Sequence, residues 1–575
     1  MESSSQALST VGAVLTQHVD NGRTGLNPNE TQLTWPSMSQ SSFGKLFTVP
    51  VDGRVFAHPL FAPQVTTGTG PHDLVIVATE RNNVYAFDAH SGATVWQVNL
   101  GTPVSSSLMY ASDCVNIPDF VGITGTPAID PATGTLYVVN LASVLQRPSR
   151  TVIQVQFINA LDLSTGQHKA NSPRSISAQV PGDGPAAVNG LISFDALKAN
   201  QRAGLLFLNN TVYVAWAGHC DDHLGFLNTG TSIFFGWLMS FDGTTLARTG
   251  VFNASPHANP ANPREPYGSS IWHGAGGIAS DGNLIYANTG NGLFDPATGD
   301  WGDSTLAFNP SLGRVDSFTP FNQAFLDSRD LDLSSAGIVI VPQSSFPHTN
   351  LLVSAGKQGS IYVLDRNALG GAQTGSADTI CPAFSFSSNC VVGEAPNAVG
   401  LIPEDPYFGI PAYFNGRVYF GGNGDVLKAF TVGGWPAISA APVASSDPAK
   451  VFGYPGTTPS ISSNGLGDGI VWALQREQRN PFTFPDPTHL HAYRADNLAE
   501  LYDSLLSSDD PDGAGQFMSP TVGGGKVYVG TSASLAVYGL FIRATPPGLS
   551  VVQGSSAACT VTTATAPSAT IGLSV

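Results

Sequence analysis

Short apolar runs recur along the whole chain, and each is bounded by residues that favour turns. The runs are rich in β-branched and aromatic residues, which is typical of β-strands. One kind of run combines small and aromatic residues, ends where a turn follows, and occurs eight times at spacings of 45 to 80 residues. The eight copies end at Asp88, Asp162, Asp242, Asn309, Asp365, Thr431, Arg494 and Gly539. The repetition predicts eight copies of one structural unit, joined by loops of unequal length.

Two more elements precede every copy. The nearer one is another apolar run, such as residues 75–80 or 527–532, and the farther one is a short segment of small residues that often contains Pro, as at His58 and Met518. Small residues suit an innermost strand, because eight such strands crowd around one axis. Three antiparallel strands with a fourth outside them make a propeller blade. We therefore predict an all-β fold, an eight-bladed β-propeller of four-stranded antiparallel blades. A β-sandwich would not repeat one three-strand order eight times.

The two ends of the chain extend this prediction. The eighth copy has no outer strand of its own, and the apolar run at residues 44–51 is expected to supply it, which would close the ring and remove an exposed sheet edge. We therefore divide the chain into a flexible N-terminus at residues 1–14, the propeller at residues 15–543, and a Ser/Thr/Ala-rich linker or truncated Ig-like module at residues 544–575.

Composition and charge narrow the partners. The 575 residues include 63 Gly and 41 Pro, 42% are hydrophobic and 11% are charged, which suits many short strands joined by tight turns. With 24 basic and 41 acidic residues, the formal net charge of −17 would repel a nucleic-acid backbone and an anionic membrane surface. No apolar stretch is long enough for a membrane span. We expect a monomer that binds a small-molecule or carbohydrate ligand.

Five cysteines and three glycosylation sequons bear on the compartment. Cys381 and Cys390 flank a short polar stretch and are candidates for a disulfide, and Cys114 with Cys220 is a second candidate pair. Sequons begin at Asn29, Asn209 and Asn253. These features predict a secreted or periplasmic protein. The N-terminus has no signal peptide, so either the signal has been removed or the chain is intracellular.

The first repeat resembles a known family. Residues 82–101 place Asp88, Ser91, Gly92 and Trp96 on the pattern of the quinoprotein, or PQQ-type, propeller repeat: a strand, Asp, a Ser/Thr-Gly turn and Trp. A second copy matches at residues 162–166 but lacks the Trp. The resemblance covers residues 15–543 and is specific for the fold.

The resemblance implies a chemistry. Quinoprotein dehydrogenases of this fold hold PQQ with Ca²⁺ on the propeller axis, and a general-base Asp takes the proton of an alcohol. Many alcohol-oxidising members place a disulfide between adjacent cysteines against the cofactor, and this chain has no adjacent pair. It also has no Cys-x-x-Cys-His, so no covalently attached haem c is expected. Other propellers with these repeats bind no cofactor and serve as scaffolds.

The resemblance also implies where a ligand would bind. The loops between the second and third strands share one rim with the loops that lead into the innermost strands, and the family binds cofactor and substrate there. Lys357 is a candidate for holding an anion, or else for an ion pair. The aromatic candidates either stack on a flat ring or a sugar face, or plug the channel. The cofactor-binding candidates are Glu80, Trp216, Trp272, Asn288, Asn291, Lys357, Gln358, Tyr407, Asn423 and Gln475.

Histidines and carboxylates on the same rim provide candidates for catalysis. His219, Asp221, Asp222 and His223 lie within five residues and are suitable metal ligands; the alternative is a hydrogen-bonded loop with solvated carboxylates. The catalytic candidates are His219, His223, His273 and Asp303. Asp303 belongs to an acidic run near Gly that suggests either a Ca²⁺ loop or a plain acidic turn.

Three functions remain open from the sequence. The first is a quinoprotein-like oxidoreductase that acts on an alcohol or sugar. The second is a non-catalytic propeller that binds a glycan, a cell-wall component or a protein. The third is a metal-assisted lyase or hydrolase that uses the loop from His219 to His223.

Overall fold

The computed structural model describes residues 8–109, 117–184, 186–219, 234–257, 268–342, 347–383, 389–403, 405–477, 487–541, 543–545 and 560–562. Their strands form eight antiparallel blades arranged as a β-propeller, which confirms the predicted fold class. In each blade the small-residue segment is the innermost strand and the eightfold repeat is the third strand.

The first four blades use strands that follow one another in the sequence. The innermost strand of blade 3 is split into two short pieces, which both pair with the second strand. The strands are Leu60–Thr67, Gly70–Ala78, Asn83–Asp88 and Thr94–Asn99 in blade 1; Ala128–Asp130, Thr135–Leu145, Val152–Asp162 and Arg174–Ser175 in blade 2; Ala199–Asn200 with Leu206–Leu208, Thr211–Gly218, Trp237–Asp242 and Arg248–Asn253 in blade 3; and Ala279–Ser280, Ile285–Asn288, Thr305–Phe308 and Arg314–Thr319 in blade 4.

The last four blades complete the ring, and the final one borrows its outer strand from the start of the chain. The strands are Ile338–Ile340, Leu351–Ala355, Ile361–Asp365 and Gly393–Ala395 in blade 5; Ala412–Phe414, Arg417–Gly421, Leu427–Thr431 and Ala444–Ser445 in blade 6; Ser460–Asn464, Gly467–Arg476, Thr488–Arg494 and Glu500–Asp503 in blade 7; and Thr521–Gly523, Lys526–Gly530, Ser534–Leu540 and Phe43–Pro50 in blade 8.

Ring closure follows the prediction. Phe43–Pro50 pairs antiparallel with Ser534–Leu540, from Phe43 opposite Leu540 to Pro50 opposite Ser534. The predicted run at residues 44–51 therefore does supply the missing strand. The opposite end of the chain thus supplies the outer strand of blade 8, so the third strand of that blade has no unpaired edge.

Short elements decorate the blades. Leu26–Asn27 adds a parallel strand to blade 7, and Gly371–Ala372 adds one to blade 4. Among the described residues, four two-stranded pairs lie outside the blades: Val104–Ser105 with Phe120–Val121, Gln179–Pro181 with Leu191–Ser193, Phe294–Asp295 with Asp300–Trp301, and Arg543–Thr545 with Thr560–Thr562. The short helices are Ser106–Leu108, Gln323–Ser328, Leu333–Ser335 and Ser504–Ser507. None of the helices in the described part of the chain is long and apolar enough to cross a membrane.

Apolar side chains pack between neighbouring blades, and the repeat motif takes part in this packing. Trp96 of blade 1 donates its indole N–H to the Leu163 carbonyl of blade 2 at 2.9 Å. A Cβ on Gly166 would lie 2.5 Å from the Trp96 ring, and Gly166 has a positive φ of 72°. The Gly of one repeat is therefore required by the Trp of the repeat before it.

The cysteines are described in part. Cys381 and Cys390 form the predicted disulfide in the connection that follows blade 5's third strand. Cys114 and Cys220 lie outside the described residues, so their pairing stays a prediction. Contacts with the ring begin before residue 15, since the Leu8 amide donates to the Pro131 carbonyl and Val14 pairs with Phe61.

Candidate functional site

Loops from four blades bring large side chains together at the rim end of the axis. Phe408, Tyr454 and Phe517 precede the innermost strands of blades 6, 7 and 8, and their ring centroids lie 5.1 to 6.4 Å apart. The guanidinium of Arg202, which lies between the two pieces of the innermost strand of blade 3, is 5.4 Å from the Phe517 ring centroid. Blades 3 and 8 are not neighbours, so these side chains meet close to the axis.

Arg202 is a buried cation with donor capacity to spare. Its Nη1 donates to the carbonyls of Phe56 and Thr124 at 3.4 and 3.1 Å. Its Nη2 is buried and has no hydrogen-bond partner among the described residues. Burial lowers the pKa of Arg202 to about 10, which leaves the side chain charged at neutral pH.

A second cation lies beside the aromatic rings and holds two carboxylates. The Lys357 Nζ is 3.0 Å from Asp330 Oδ2, 2.9 Å from Asp332 Oδ2 and 5.8 Å from the Phe408 ring centroid. Burial disfavours the charge of Lys357, but attraction by Asp332 and Asp330 outweighs it and holds the pKa well above its usual range. Asp332 is buried, whereas Asp330 is half exposed.

Asn291 orders the two carboxylates. Its backbone amide donates to Asp332 Oδ1 at 2.9 Å, and its side-chain Nδ2 donates to Asp330 Oδ1 at 2.7 Å. Its own Oδ1 is buried and has no hydrogen-bond partner among the described residues. We call Asn291, Asp330, Asp332 and Lys357 the rim cluster. It offers carboxylate oxygens, an amide oxygen and an ammonium in one place.

Asp303 lies behind the rim cluster and is fully buried. Its Oδ1 accepts the Leu333 amide at 3.1 Å, and its Oδ2 accepts the Gln323 side-chain amide at 3.4 Å. Burial, reinforced by the negative charge of Asp332, raises the pKa of Asp303 well above its usual range. Asp303 is therefore a carboxyl group whose negative charge is disfavoured, next to an ion-paired carboxylate.

Tyr454 connects the aromatic rings with further charges. Burial raises the pKa of its hydroxyl, and the charges that act on it belong to Asp405, Lys357, Arg476 and Asp330. Arg476 Nη1 also donates to the Tyr454 carbonyl at 3.2 Å. The rim end of the axis is therefore a zone of mixed charge around aromatic rings, in a chain that has few charges.

The backbone is strained at this end of the axis. Phe517 has a φ of 63°, Asp330 of 55° and Asp303 of 42°, all in the left-handed region that non-glycine residues rarely adopt. The Phe517 carbonyl is held by His58 Nε2 at 2.9 Å. Strained residues of this kind persist where the surroundings hold them, and they cluster at functional sites.

Two of the predicted residues serve the structure. His273 and Asn288 are fully buried, and the Asn288 amide donates to His273 Nε2 at 2.9 Å. Burial lowers the pKa of His273 to about 4, so the ring is neutral and its Nδ1 donates to the Gly277 carbonyl. The Asn288 side chain bonds to Ser354 and Thr305.

Two of the other candidates point into packed cores, and a third, Gln358, is half-buried. Trp216 is fully buried between blades 2 and 3, and its indole N–H donates to Gln156 at 2.6 Å. Tyr407 is fully buried against Phe420, with ring centroids 5.4 Å apart. Gln358 accepts hydrogen bonds from Asn322 and Tyr362.

The remaining cofactor candidates lie at different places. Trp272 is half-buried, and its amide donates to the Ser334 hydroxyl at 3.4 Å. Asn423 donates to the Asp405 carbonyl at 3.0 Å and so holds the loop near Tyr454. Glu80 is buried and 3.4 Å from Arg54 Nη1, and burial raises its pKa to about 7. Gln475 bridges the Val451 carbonyl and His491 between blades 6 and 7.

The proposed metal loop is described only at its first residue. His219 is buried, and burial lowers its pKa to about 3. Asp221, Asp222 and His223 lie outside the described residues, so that site stays a prediction. Within the described part of the chain, one other group has metal-ligand spacing, namely His491, Glu500 and Asp503. The Lys450 ammonium lies 2.6 and 2.5 Å from its two carboxylates and already forms ion pairs with both.

The sequence interpretation missed several residues of the site. Asp330 and Asp332, Arg202, and the rings of Phe408, Tyr454 and Phe517 were not among the candidates. Two carboxylates in Arg-Asp-Leu-Asp directly before the innermost strand of blade 5 were a usable signal, because only 11% of the chain is charged.

Comparison with solved structures shows the fold. The quinohemoprotein alcohol dehydrogenase from Comamonas testosteroni is similar over 95% of this chain and 83% of that chain, with a TM-score of 0.56 and 14% identity. A quinohemoprotein alcohol dehydrogenase from Pseudomonas putida HK5 has a TM-score of 0.51 and 14% identity over 95% and 82% of the two chains. A europium-containing methanol dehydrogenase has a TM-score of 0.51 and 14% identity over 92% and 98%. No protein-family model matches the sequence, and no curated protein matches it.

Proposed function

We propose that the protein is a quinoprotein-like oxidoreductase that binds a PQQ-type quinone with a divalent cation at the rim end of the axis and oxidises an alcohol or a sugar. The observation that carries the proposal is the rim cluster beside the aromatic rings. It combines a cation for an anionic cofactor, oxygen ligands for a metal, and a carboxylate that can act as a base. The fold shared with quinoprotein alcohol dehydrogenases supports it.

The residues fit the charge of such a cofactor. PQQ is a flat ring system that bears three carboxylates, and Lys357, Arg202 and Arg476 are three cations around aromatic rings that suit a flat ligand. Arg202 has an unused buried donor. Asn291 Oδ1, with the carboxylates of Asp330 and Asp332, is a set of oxygen ligands of the kind that Ca²⁺ prefers.

The chain's own residues suggest a division of labour. The bound quinone would supply the acceptor for the two electrons of the alcohol. Asp332, ordered by the Asn291 amide and by Lys357, would take the hydroxyl proton. Lys357 would pair with Asp332 and hold a cofactor carboxylate or carbonyl by its positive charge. Asp303, whose pKa is raised by burial and by the charge of Asp332, would donate a hydrogen bond in the same pocket when it is protonated. Phe408, Tyr454 and Phe517 would exclude water from one side.

The setting of this activity is also a proposal. The disulfide between Cys381 and Cys390 supports an oxidising compartment, so we propose a secreted or periplasmic monomer. The sequence has no Cys-x-x-Cys-His, so we propose that electrons leave the quinone without a haem c in this chain.

Reconstitution tests the proposal. Purified protein is incubated with PQQ and Ca²⁺, its absorption spectrum is recorded, and dye-linked oxidation of an alcohol and sugar panel is measured. We expect bound quinone and turnover, and loss of turnover by at least 100-fold in Asp332→Asn. Lys357→Met should lose affinity for the quinone, and Lys198→Met, at an exposed lysine, is its matched control. Absence of bound quinone would refute the proposal, and glycan binding without product would favour the non-catalytic alternative.

A further inference from the structure

Residues 14–30 run around the end of the propeller axis opposite the rim. They lie before the strand that closes blade 8, and they are mostly buried although they contain only one two-residue strand. Most of this segment therefore has no sheet of its own. Its backbone polar groups need other partners, because buried N–H and C=O groups are rarely left unpaired.

The segment finds those partners on the innermost strands, one blade after another. Val14 exchanges two hydrogen bonds with Phe61 of blade 1. The carbonyls of Leu15, Asn21, Gly22, Thr24 and Gly25 accept, in that order, the amides of Ile129 in blade 2, Ser280 in blade 4, Ile340 in blade 5, Tyr413 in blade 6 and Ile461 in blade 7, at 2.7 to 2.8 Å.

Side chains of the segment reach the two blades that its carbonyls do not. The hydroxyl of Thr16 donates to the Leu205 carbonyl at the start of blade 3, at 3.0 Å. Asn27 Nδ2 donates to the Val522 carbonyl of blade 8 at 2.9 Å. Residues 14 to 27 thus contact all eight blades in chain order, each blade through a hydrogen bond to its innermost strand or to the residue beside that strand.

Arg23 fixes the segment at its centre. It is fully buried, and its guanidinium donates to the carbonyls of Ile278, Gln17 and Leu205 and to the Thr16 hydroxyl, at 2.7 to 3.0 Å. Burial lowers the pKa of Arg23 to about 9, so the side chain remains charged at neutral pH. A buried charge with four oxygen partners is costly to remove from them.

His18 carries the segment across the axis. Its Nε2 is 2.8 Å from the Pro459 carbonyl of blade 7, although the neighbouring Gln17 donates to Ala275 at the entrance of blade 4. A Cβ on Gly25 would lie 2.4 Å from the His18 ring, so the two ends of this loop are packed together. A cavity of about 10 Å³, room for one water, separates Thr16 and His18 from His58 and Ser519 on the rim side.

The conformation of the segment is one that it would not hold alone. His18, Val19 and Arg23 have φ values of 57°, 75° and 59°, and a left-handed conformation is especially unfavourable for β-branched Val19. Residues strained in this way keep their conformation only where the surroundings fix it. The ring of innermost strands therefore fixes the conformation of the segment.

We propose that residues 14–30 are an intramolecular plug, a peptide ligand of the propeller's own axis. It closes the channel at the end opposite the rim and ties the eight innermost strands together. The plug is held by its many hydrogen bonds to the ring rather than by its covalent connection, so it remains bound when that connection is cut. The proposal does not depend on what binds at the rim.

Cleavage of the folded chain tests the plug. A protease recognition sequence is inserted between Thr31 and Gln32, which are both exposed, and the full-length protein is purified and then cut. We expect the fragment that ends at Thr31 to co-elute with the ring in native size-exclusion chromatography, at more than 90% retention, and to separate only under denaturing conditions. Release of most of the fragment under native conditions within hours would overturn the proposal.

A variant and a second measurement distinguish the plug from nonspecific association of the fragment with the ring. In the cut protein, Arg23→Met should release the fragment at least tenfold faster, whereas Gln32→Ala, next to the cut, should not. Hydrogen exchange of the ring is measured in parallel. Loss of the fragment should raise exchange together at the amides of Ile129, Ser280, Ile340, Tyr413 and Ile461. If exchange at these amides stays unchanged after the fragment has left, the carbonyls of the plug do not protect them. That result would also overturn the proposal.

Discussion

Replacing Lys357 by Met removes the cation that pairs with both carboxylates of the rim cluster. The ammonium lies 2.9 Å from Asp332 and 3.0 Å from Asp330, and its own side chain is 12% exposed. Met has a similar length and fills the same space, so the substitution changes charge more than packing. We expect the folded protein to lose stability at neutral pH and to lose its affinity for an anionic ligand at the rim.

The magnitude follows from the burial of the two partners. Asp332 is 2% exposed, so without Lys357 it would be a buried charge, whereas Asp330 is 49% exposed and would be solvated. Removing one partner of a buried ion pair costs about 3–5 kcal/mol. Asp332 keeps the Asn291 amide, so we expect a loss at the lower end, about 3 kcal/mol.

A double-mutant cycle measures this interaction. Unfolding in urea is followed by tryptophan fluorescence for the wild type, Lys357→Met, Asp332→Asn and the double variant, with Lys198→Met as the exposed control. The double variant should recover about 2 kcal/mol of the loss, because Asn at position 332 leaves no buried charge. A loss in Lys357→Met below about 1 kcal/mol, or one equal to that of Lys198→Met, would refute the reasoning.

Three further predictions follow from other buried groups. Burial raises the pKa of Glu80 from 4.5 to about 7, so the folded state loses stability as the pH rises from 4.5 to 7. Glu80→Gln should remove this pH dependence, so that its stability relative to the wild type increases by about 2–3 kcal/mol between pH 4 and pH 8. Parallel stability–pH curves for the two proteins would contradict this prediction. His489 lies between Asp510 and Glu477, at 2.9 and 2.8 Å, and these carboxylates outweigh burial and raise its pKa. Its stabilising effect is therefore complete below pH 6.5 and is lost at higher pH. In thermal unfolding from pH 5 to 9, the melting temperature of His489→Gln should fall less than that of the wild type, and an equal fall would exclude this role. The Cys381–Cys390 disulfide closes a loop with a sequence separation of 9, so the double variant Cys381→Ser, Cys390→Ser should be about 2–3 kcal/mol less stable in urea unfolding. Reductant should destabilise the wild type by the same amount, and a smaller effect of reductant would show that the disulfide is not the cause.

The fold was predictable because its signals are repeated. Each of eight third strands ends in the same pattern, and the run at residues 44–51 lacked a partner that only the eighth copy could provide. The structure pairs Phe43–Pro50 with Ser534–Leu540 for that reason. A repeat that occurs eight times lets the weak signal of each short strand be checked against seven others.

The site was less predictable because both faces of a blade are buried. Trp216 and Tyr407 were candidates for a ligand platform, but each is packed inside the ring, and the apolar sequence around them would look the same in either case. The side chains that do meet at the axis, Arg202 and Phe517, are far apart in the sequence and come from separate blades. Lys357, Asn291 and Asp303 were the candidates that do lie at this site. Lys357 was the clearest of them, since a charge beside a buried strand of a charge-poor chain needs a partner.

The N-terminal plug was hidden for a different reason. Residues 14–30 carry no strand periodicity, and their order is imposed by the ring of innermost strands that they contact. Left-handed residues such as Val19 cannot be anticipated from a sequence without the template that holds them.

The central claim is that the rim cluster and the aromatic rings beside it hold a PQQ-type quinone. A crystal structure of the protein grown with PQQ and Ca²⁺ tests it most directly. We expect quinone density at the rim end of the axis, with a cofactor oxygen within hydrogen-bond distance of Lys357 Nζ and the cation on oxygens of Asn291, Asp330 or Asp332. Crystals saturated with PQQ and Ca²⁺ that show no quinone there, or a quinone bound elsewhere, would contradict it.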